Sequence, residues 1–444
     1  MMRDDRRDSE QMNRRHFLGH GSAWLAGLTA PAFLRAADAA SKKIVVGVMG
    51  LGRGLDHLRA CLALPHVEVA YVCDVDDRRL SRALATVGTS GNSSGKTPQA
   101  VKDFRKILDD RNVDALTIAA PNHWHAPAAI LAMQAGKHVY VEKPGSHNIQ
   151  EARWLVATAR KTGKVCQMGN QRRSWPAVIE AMDKLKSGVI GTVRSARCWY
   201  HNRRPSIGIG KPVPVPKELD YALWQGPAPE RPYLDNIVHY NWHWRWHWGG
   251  GELANNGIHA LDLARWGTGV GDCPIRVTCG GGRYHFKDDQ ETPDTAVATF
   301  DFGDKVLIWD GSSCHPRPAD NLAFVTFYGD NGALALSGGG MYRIFDPKGV
   351  EIDRFKGDGF AKATGSGGDR VHFENFFDCI RNGKRPHSDI EEGQKGTLLC
   401  HLGNIAYRLG RTLTLDPTTQ TILNDKEAVA LLGREYRPGW EPKV

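Results

Sequence analysis

The spacing of hydrophobic residues in the first half of the chain alternates between strand and helix patterns. Short runs rich in valine and isoleucine predict buried strands at 43–49, 67–73, 113–119, 139–141 and 164–168. Segments with helical spacing lie between some of these runs, notably at 101–109 and 126–135. Strands that alternate with helices in this way predict an α/β domain built on a doubly wound parallel sheet.

The second half of the chain is richer in strands. After a helix that ends near 187, β-branched and aromatic runs predict strands at 193–200, 275–279, 295–302, 306–311, 323–328 and 333–336. Helical spacing returns at 373–381 and 391–409. A long connection rich in proline and tryptophan, 202–251, interrupts the strands. A connection of this length inside a domain is usually functional or itself packed.

Length and composition agree with a two-domain globular protein. The 444 residues are too many for one ordinary core. The net charge of +9 is spread over the chain without a basic block, which argues against a nucleic-acid partner. The nine cysteines are scattered and form no C-x-x-C pair. They are therefore interpreted as core thiols, neither a disulfide framework nor a metal site.

The first forty residues have the features of a targeting segment. Arg14 and Arg15 precede a weakly apolar run, 21–34, which ends in the cleavage pattern Ala37-Asp38-Ala39. This arrangement resembles a twin-arginine export signal, and the run is only about half of a membrane span. We therefore expect a signal peptide at 1–40, the twin-arginine translocase as a transient partner, and a periplasmic or otherwise exported protein. The true start, at Met1, Met2 or Met12, stays open.

A glycine-containing turn follows the first predicted strand. Gly50 and Gly52 supply the first two glycines of a dinucleotide fingerprint, but Leu55 stands where the third is expected. Asp74 ends the next strand about 20 residues later and suits a ribose 2′-hydroxyl, which favours NAD over NADP. Arg78 and Arg79 lie close enough to leave NADP open.

A lysine stands directly after the strand at 139–141. Pro144 ends that strand, so Lys143 is expected at its carboxyl end, the edge at which parallel sheets bind ligands. There its ammonium group could polarise an oxygen or relay a proton. The alternative is a surface lysine in a turn.

Three motifs in this order resemble the Gfo/Idh/MocA family of oxidoreductases: Gly50-x-Gly52, Pro121-Asn122-x-x-His125 and Glu142-Lys143-Pro144. The resemblance covers the chain from about residue 43 to its end. It implies an NAD(P)-binding Rossmann domain at 41–168 and a C-terminal α/β domain at 169–444. In the family, the large and mostly antiparallel sheet of the second domain serves in oligomerisation, so a homodimer or homotetramer is expected.

The resemblance also implies roles for single residues. Lys143 matches the catalytic lysine, and Asn122 and His125 would line the nicotinamide side. The predicted cofactor-binding set is Gly50, Gly52, Arg53, Asp74, Pro121, Asn122, His125 and Glu142.

The segment 249–262 resembles the active-site segment of the family. His259 matches its catalytic histidine and would take the hydroxyl proton. Asn255 stands where the family has an aspartate, and an amide can hold a hydroxyl but cannot raise the basicity of His259. Asp262 is expected either to orient His259 or to cap its helix.

The densest aromatic stretch, 239–248, suggests a carbohydrate cleft. Indole faces stack on sugar rings, while histidine, asparagine and arginine bind hydroxyl groups. The alternative is a hydrophobic plug or a subunit contact. The spacing of His239, His243 and His247 invites a metal, but no carboxylate stands among them, and no metal is predicted. Four residues are expected to orient the substrate: Gln171, Arg172, His243 and Trp244.

Together these features predict an exported NAD-dependent oxidoreductase acting on a CH–OH group of a sugar or polyol. Because no NAD pool exists outside the cytoplasm, the cofactor would be tightly retained. The same residues would serve a redox-neutral glycosidase or lyase that oxidises a sugar, eliminates a glycosidic bond and reduces the intermediate. A third possibility is a sugar-binding protein that keeps NAD only as structure. The sugar and its oxidised carbon are left open.

Overall fold

A computed structural model of the protein describes residues 43–90, 95–357 and 368–444. The predicted export signal, with Arg14 and Arg15, lies outside the described residues. None of the helices in the described part of the chain has the length and hydrophobicity that a membrane span requires.

The N-terminal half forms a six-stranded parallel sheet. Its strands are β1 (Ile44–Met49), β2 (Val67–Cys73), β3 (Gln99–Val101), β4 (Ala115–Ile118), β5 (His138–Val141) and β6 (Cys166–Met168). They follow the order β3-β2-β1-β4-β5-β6, and every pairing is parallel. All four residues of β4 are buried, as expected for a strand covered by helices on both faces. The doubly wound sheet predicted from the sequence is confirmed.

The helices of this half are α1 (Gly54–Leu62), α2 (Asp77–Thr89), α3 (Arg105–Asp109), α4 (Asn122–Gln134) and α5 (Ile149–Thr162). The prediction of a helix over 101–109 was wrong at its start. Val101 is the last residue of edge strand β3, where it pairs with Cys73, and the helix begins only at Arg105.

Helix α4 also begins earlier than predicted, at Asn122 instead of near residue 126. Pro127 lies inside this helix, although proline has no N–H to donate to the carbonyl four residues earlier. That carbonyl, on His123, instead accepts a hydrogen bond from Arg434 Nη2 at 2.8 Å. The early start places Asn122 and His125 in the first turns of the helix, at the ligand-binding edge of the sheet.

The second half contains helix α6 (Pro176–Lys186) and a ten-stranded sheet. Its strands are β7 (Val193–His201), β8 (Arg276–Gly282), β9 (Thr295–Asp301), β10 (Val306–Ser312), β11 (Val325–Gly329), β12 (Gly332–Leu336), β13 (Tyr342–Phe345), β14 (Glu351–Arg354), β15 (Leu413–Asp416) and β16 (Thr421–Ile422). The order is β14-β13-β12-β11-β7-β10-β9-β8-β15-β16. Only β7 and β10 pair in parallel, so the expectation of a mostly antiparallel sheet is confirmed.

Further helices of this half are α7 (Tyr221–Gln225), α8 (Ile258–Thr268), α9 (Asp369–Asn382), α10 (Ile390–Leu409) and α11 (Lys426–Ala430). Helices α8 and α10 pack on each other and on the sheet, while α9 packs on α1. A turn of π-helix, Leu253–Gly257, leads into α8. Such turns are frequent at functional sites.

The long connection 202–251 is fastened to the first domain just beyond β2. Leu219 forms an antiparallel bridge with Asp76, and Asp220 N donates to Val75 O at 3.0 Å. The connection has a hydrophobic cluster of its own, formed by Leu219, Tyr221, Trp224, Ala228, Ile237, Trp242 and Trp248. It is therefore a packed structural element, and it spans from the first domain to the start of the π-helical turn.

Candidate functional site

A cavity of about 570 Å³ lies at the carboxyl ends of β1, β2, β4 and β5. The long connection and the start of α8 contribute the remainder of its lining. Thirteen of the residues predicted from the sequence line it: Gly50, Gly52, Arg53, Asp74, Pro121, Asn122, His125, Glu142, Lys143, Gln171, His243, Asn255 and His259. The volume is typical of a small-molecule or cofactor site.

The glycine turn at one end of this cavity requires glycine at one of its positions. Gly50 has φ +85°, and a Cβ there would lie 2.6 Å from the backbone of Ala119, so only glycine fits. Gly54 is the first residue of α1, where a Cβ would lie 3.4 Å from Val48. That distance is an ordinary van der Waals contact, so the packing of α1 on β1 does not require glycine at this position.

Asp74 lies beside this turn, at the end of β2. Its carboxylate accepts hydrogen bonds from Leu51 N at 2.7 Å and Asp76 N at 3.0 Å. Burial raises the pKa of Asp74, and nearby Arg79 offsets part of the rise. Arg79 lines the cavity next to Gly52, whereas Arg78 lies outside the lining and pairs with Glu218 at 2.9 Å. A glycine turn with a carboxylate beside it is the arrangement that holds the pyrophosphate and ribose of NAD.

Glu142 is the centre of a buried hydrogen-bond network. Its Oε1 accepts from Arg53 Nε at 3.2 Å, His57 Nε2 at 3.1 Å and Gln171 Nε2 at 3.1 Å, while Oε2 accepts from Lys143 N at 3.1 Å. Burial opposes its ionisation, but Arg53 and His57 hold the pKa of Glu142 well below its ordinary range. The network fixes an ionised carboxylate that accepts a hydrogen bond from the backbone of Lys143.

The side chain of Lys143 is held by Asn255. Lys143 Nζ donates to the backbone O of Asn255 at 2.7 Å and to its Oδ1 at 3.0 Å. Burial lowers the pKa of Lys143, and the negative charge of Glu142 opposes this effect. The structure therefore brings together the two residues from distant parts of the sequence that were predicted to act at the same centre.

His259 lies near the start of α8 and also lines the cavity. Among the described residues, none forms a hydrogen bond with its ring. Burial and the nearby cations Lys143 and Arg172 hold the pKa of His259 well below its ordinary value. The ring is thus neutral near pH 7, with its nitrogens available to a ligand.

Asp262 fills neither of the roles expected for it. Its two carboxylate oxygens accept from Arg173 Nε and Nη2, each at 2.8 Å, in a buried bidentate ion pair. Arg173 belongs to a 3-10 helix, Gln171–Ser174, that directly follows the first domain. The pair fastens α8 to the edge of the Rossmann sheet.

His125 connects two loops at the centre of the cavity. Its Nδ1 donates to Pro144 O at 2.5 Å, and its Nε2 lies 2.7 Å from Ala120 O. The ring therefore holds the Lys143–Pro144 turn against the loop that follows β4. His125 lines the cavity, and its contacts are those of a positioning residue.

The four residues expected to orient substrate separate into two groups. Gln171 and His243 line the cavity, whereas Arg172 and Trp244 lie outside its lining. Trp244 is fully buried, with the Arg204 guanidinium 3.8 Å from its ring centre. Arg172 Nη2 donates to Gly338 O at 3.2 Å.

Sequence reasoning missed Tyr240, which is 55% exposed and lines the same cavity. His243 stacks on Trp242 at 3.6 Å and donates from Nδ1 to Tyr240 O at 2.6 Å. Burial lowers the pKa of His243 to about 3, so its ring is neutral. Tyr240 stands in the aromatic stretch 239–248, but composition alone does not separate an outward tyrosine from an inward tryptophan.

The three histidines with a metal-like spacing point to different partners. His239 Nε2 donates to Asp76 Oδ2 at 2.8 Å, and His247 Nε2 donates to Pro229 O at 2.8 Å. Within the described ranges, no three histidine, cysteine, aspartate or glutamate residues come together as a metal site would require. All nine cysteines are described, none forms a disulfide, and all except Cys279 are buried.

Models of one protein family match almost the whole described chain. The "Oxidoreductase family, NAD-binding Rossmann fold" matches residues 43–170. The "GFO/IDH/MocA C-terminal domain" matches residues 178–335, and the "Oxidoreductase family, C-terminal alpha/beta domain" matches residues 339–442.

One curated relative is a glycosyl hydrolase family 109 protein from Shewanella pealeana, 30% identical over 210 residues. The match covers 43% of this chain and 46% of the relative, so the chain spans about half the length of the curated relatives it matches.

Two solved structures share the fold. The aldose-aldose oxidoreductase of Caulobacter crescentus, complexed with glycerol, is 19% identical with a TM-score of 0.64, covering 84% of this chain and 100% of that one. The WlbA dehydrogenase of Bordetella pertussis, in complex with NADH and UDP-GlcNAcA, is 20% identical with a TM-score of 0.62, covering 84% and 99%. With family models that match from residue 43 to residue 442, the chain belongs to the Gfo/Idh/MocA family of oxidoreductases and carries its NAD-binding Rossmann domain.

Proposed function

We propose that the protein is an NAD-dependent oxidoreductase that acts on a CH–OH group of a sugar or polyol. The proposal rests on one observation: a single cavity contains a dinucleotide-binding turn at one end and the Lys143–Asn255–His259 cluster at the other. The residues at both ends fit a redox reaction between a nicotinamide and a hydroxylated substrate.

The residues of the turn suit NAD. Gly50 and Gly52 leave the backbone open to a pyrophosphate, and the carboxylate of Asp74 is positioned for ribose hydroxyls. When bound there, NAD supplies the hydride acceptor for an alcohol oxidation. The chain itself provides the proton chemistry and the orientation of the substrate.

Lys143 is the residue best suited to take the hydroxyl proton. Among the described residues, its Nζ donates only to two neutral oxygens of Asn255, and burial lowers the pKa of its ammonium group. A lysine with a lowered pKa can lose its proton closer to neutral pH and then act as a base. Asn255 holds Nζ in place without adding a charge beside it.

His259 is better suited to a hydrogen-bonding role than to the role of base expected from the sequence. Because its pKa is well below the ordinary value, its imidazolium form is disfavoured. The neutral ring can accept a hydrogen bond from a substrate hydroxyl and so orient the carbinol toward Lys143.

Aromatic and amide groups near this end favour a sugar or polyol. Tyr240, Trp242 and Trp224 line the cavity with aromatic rings, while Gln171 and Asn122 offer polar groups to hydroxyls. Structures with the same fold include one complexed with glycerol and one complexed with a nucleotide sugar.

The test is a panel of sugars and polyols added to the purified protein loaded with NAD. Absorbance of the reduced nicotinamide and chemical analysis of the products are followed together. We expect at least one sugar to reduce the nicotinamide and to yield the corresponding carbonyl compound. If sugars bind across the panel but neither nicotinamide nor sugar changes, the protein is a sugar-binding protein with structural NAD.

A redox-neutral glycosidase is the second candidate, and the match to glycosyl hydrolase family 109 proteins favours it. Methyl and nitrophenyl glycosides, used as substrates, distinguish a glycosidase from a dehydrogenase. A glycosidase releases the alcohol or phenol without net formation of NADH, whereas a dehydrogenase accumulates reduced nicotinamide.

Slow release of the cofactor is part of the proposal. The long connection lies near Asp74 through the hydrogen bond between His239 and Asp76. It also lines the cavity with Tyr240 and His243. A nucleotide in the cavity would therefore be covered along its length, which favours a low dissociation rate.

We also propose that the mature protein works outside the cytoplasm after twin-arginine export, with NAD loaded beforehand. The sequence features of residues 1–40 support this location. A homodimer or homotetramer formed through the ten-stranded sheet is proposed as well. Val297 and Tyr328 on this sheet are 45% and 44% exposed, as an association surface requires.

A further inference from the structure

A second cavity, of about 600 Å³, is lined in part by residues that lie close in sequence to both catalytic segments. Its lining includes His147, four residues after Lys143, and Gly250, five residues before Asn255. Residues of the segments 229–231, 246–250 and 430–435 and of helix α10 contribute the rest of the lining. The two cavities share no lining residue, so a ligand in the second would bind apart from the cofactor.

Two residues of the lining keep a buried donor nitrogen without a partner among the described residues. Arg434 donates from Nε to Glu151 at 2.8 Å and from Nη2 to His123 O at 2.8 Å, but its Nη1 is unpartnered. Asn148 accepts from Glu151 N at 2.9 Å as the cap of α5, but its Nδ2 is unpartnered. Both nitrogens can only donate, so the matching ligand must supply acceptors.

His147 adds a potential acceptor. Its Nε2 donates to Trp246 O at 3.1 Å, which leaves Nδ1 without a partner in the described chain. Burial and the charge of Arg434 hold the pKa of His147 well below its ordinary value, so the ring is neutral. Its Nδ1 can then accept from a hydroxyl group.

The charges of the lining favour an anion. Arg231 and Arg408 form no ion pair with any described residue, and Arg408 also lies over the Trp246 ring at 5.3 Å. Of the two lining glutamates, Glu230 is paired with Arg437. Glu435, which is exposed, is therefore the one unpaired carboxylate among the described lining residues. The same lining has two unpaired guanidinium groups, so its unpaired charges are mostly positive.

We propose that this second cavity binds a small organic anion that carries hydroxyl groups, either a sugar phosphate or a sugar acid. The anionic group would meet the donors of Arg434 and Asn148, and a hydroxyl would meet His147. Arg231 and Arg408 would supply long-range attraction at the rim.

The experiment is calorimetric titration of the full-length mature protein saturated with NAD. Glucose 6-phosphate and gluconate represent the two kinds of anion, and inorganic phosphate and glucose represent their parts. We expect one site per chain for at least one of the two sugar anions, with weaker binding of inorganic phosphate and none of neutral glucose.

Two variants test the assignment of the cavity. Arg231→Gln combined with Arg408→Gln should weaken binding of the anion roughly tenfold or more, because it removes the attraction of both unpaired positive charges of the described lining. Asn148→Asp keeps an oxygen to cap α5 but replaces the donor with a negative charge, so it should abolish binding while the protein stays folded. Arg82→Gln removes an exposed arginine of α2, outside the lining, and should change nothing.

The proposal is overturned if neither sugar anion binds, or if the cavity variants bind as tightly as Arg82→Gln does. Displacement of NAD by the anion would place it in the first cavity and would equally contradict the assignment. Inorganic phosphate that binds as tightly as glucose 6-phosphate would rule out recognition of the sugar.

Discussion

Asn255 binds the ammonium group of Lys143 without adding a charge beside it. Nζ of Lys143 is held at 2.7 and 3.0 Å by two oxygens of Asn255, neither of which is charged. An aspartate at 255 would place an anion at hydrogen-bond distance from the ammonium group and stabilise its charged form. The asparagine therefore leaves Lys143 with the lowered pKa that burial imposes.

We predict that Asn255→Asp raises the pKa of Lys143. Alcohol oxidation requires deprotonated Lys143, so kcat/KM rises as pH passes through this pKa. In the variant, that rise should move roughly one to three pH units higher, the usual effect of an opposite charge at this distance. Activity should therefore fall at neutral pH and recover at alkaline pH. An unshifted profile would show that Lys143 is not the titrating base.

At the scale of elements, the position of α8 depends on the ion pair between Arg173 and Asp262. Both side chains are buried, and the contact is bidentate. We predict that Arg173→Met lowers the free energy of unfolding by about 3–5 kcal/mol, because it leaves the Asp262 charge buried without a partner. Chemical denaturation measures the change.

Arg194→Met is the matched control, since it breaks an equally well-formed pair with Asp330 at the surface. Exposed pairs contribute little because water screens them. Equal stability of the two variants would mean that the buried pair does not anchor α8.

The long connection gives a second prediction at this scale. Burial lowers the pKa of His239, so its neutral ring donates to Asp76. Although burial opposes ionisation of Asp76, the Arg78 N–H and His239 hold its pKa below the ordinary range. Loss of this charge-assisted bond in His239→Ala should speed NAD release roughly tenfold or more.

Release can be followed by the fluorescence of bound NADH after dilution into excess NAD. His285→Ala, an exposed histidine outside the cavity lining, should behave as wild type. A release rate unchanged by His239→Ala would remove the connection from the retention of the cofactor.

The elements that could be predicted from sequence are those whose burial is uniform. Strands such as β1 and β4 are covered on both faces, so their hydrophobic runs are continuous. Strand β3 was missed because Gln99 and Ala100 are exposed and only Val101 is buried. The start of α4 was missed because Pro127 suggests a boundary, whereas the Arg434 guanidinium satisfies the carbonyl left free on His123.

The residues of the site also differ in whether the sequence around them gives a local signal. Lys143 and His259 follow from motifs whose spacing is local, so their place in the cavity could be expected. The contact of Arg173 with Asp262 joins residues 89 positions apart and has no local signal. Trp244 was assigned to substrate because composition does not reveal that it is buried under Arg204.

For the whole molecule, the proposed location and the retained cofactor are linked. Outside the cytoplasm a released NAD would not be replaced, so export requires a loaded and closed nucleotide site.

We predict that replacing Arg14 and Arg15 by lysine keeps the precursor in the cytoplasm, as measured by cell fractionation. The chain contains a matched control, because Arg6 and Arg7 form another arginine pair upstream. Normal export of the Arg14, Arg15 variant, or loss of export in the Arg6, Arg7 variant, would contradict the assignment of the signal.

The central claim is that hydride passes between a sugar carbinol and NAD in the cavity that contains Lys143. It is tested most directly with a responsive sugar deuterated at its carbinol carbons, added to NAD-loaded protein. After brief reaction and denaturation, mass spectrometry measures deuterium in the nicotinamide.

We predict label in the nicotinamide of the wild-type protein and of the control variant Lys161→Met, which replaces an exposed lysine on α5. Lys143→Met should bind NAD equally but transfer label roughly a hundredfold more slowly or worse, the scale for loss of a positioned base. Conversion of the sugar with no label in the nicotinamide, or full labelling in Lys143→Met, would contradict the account.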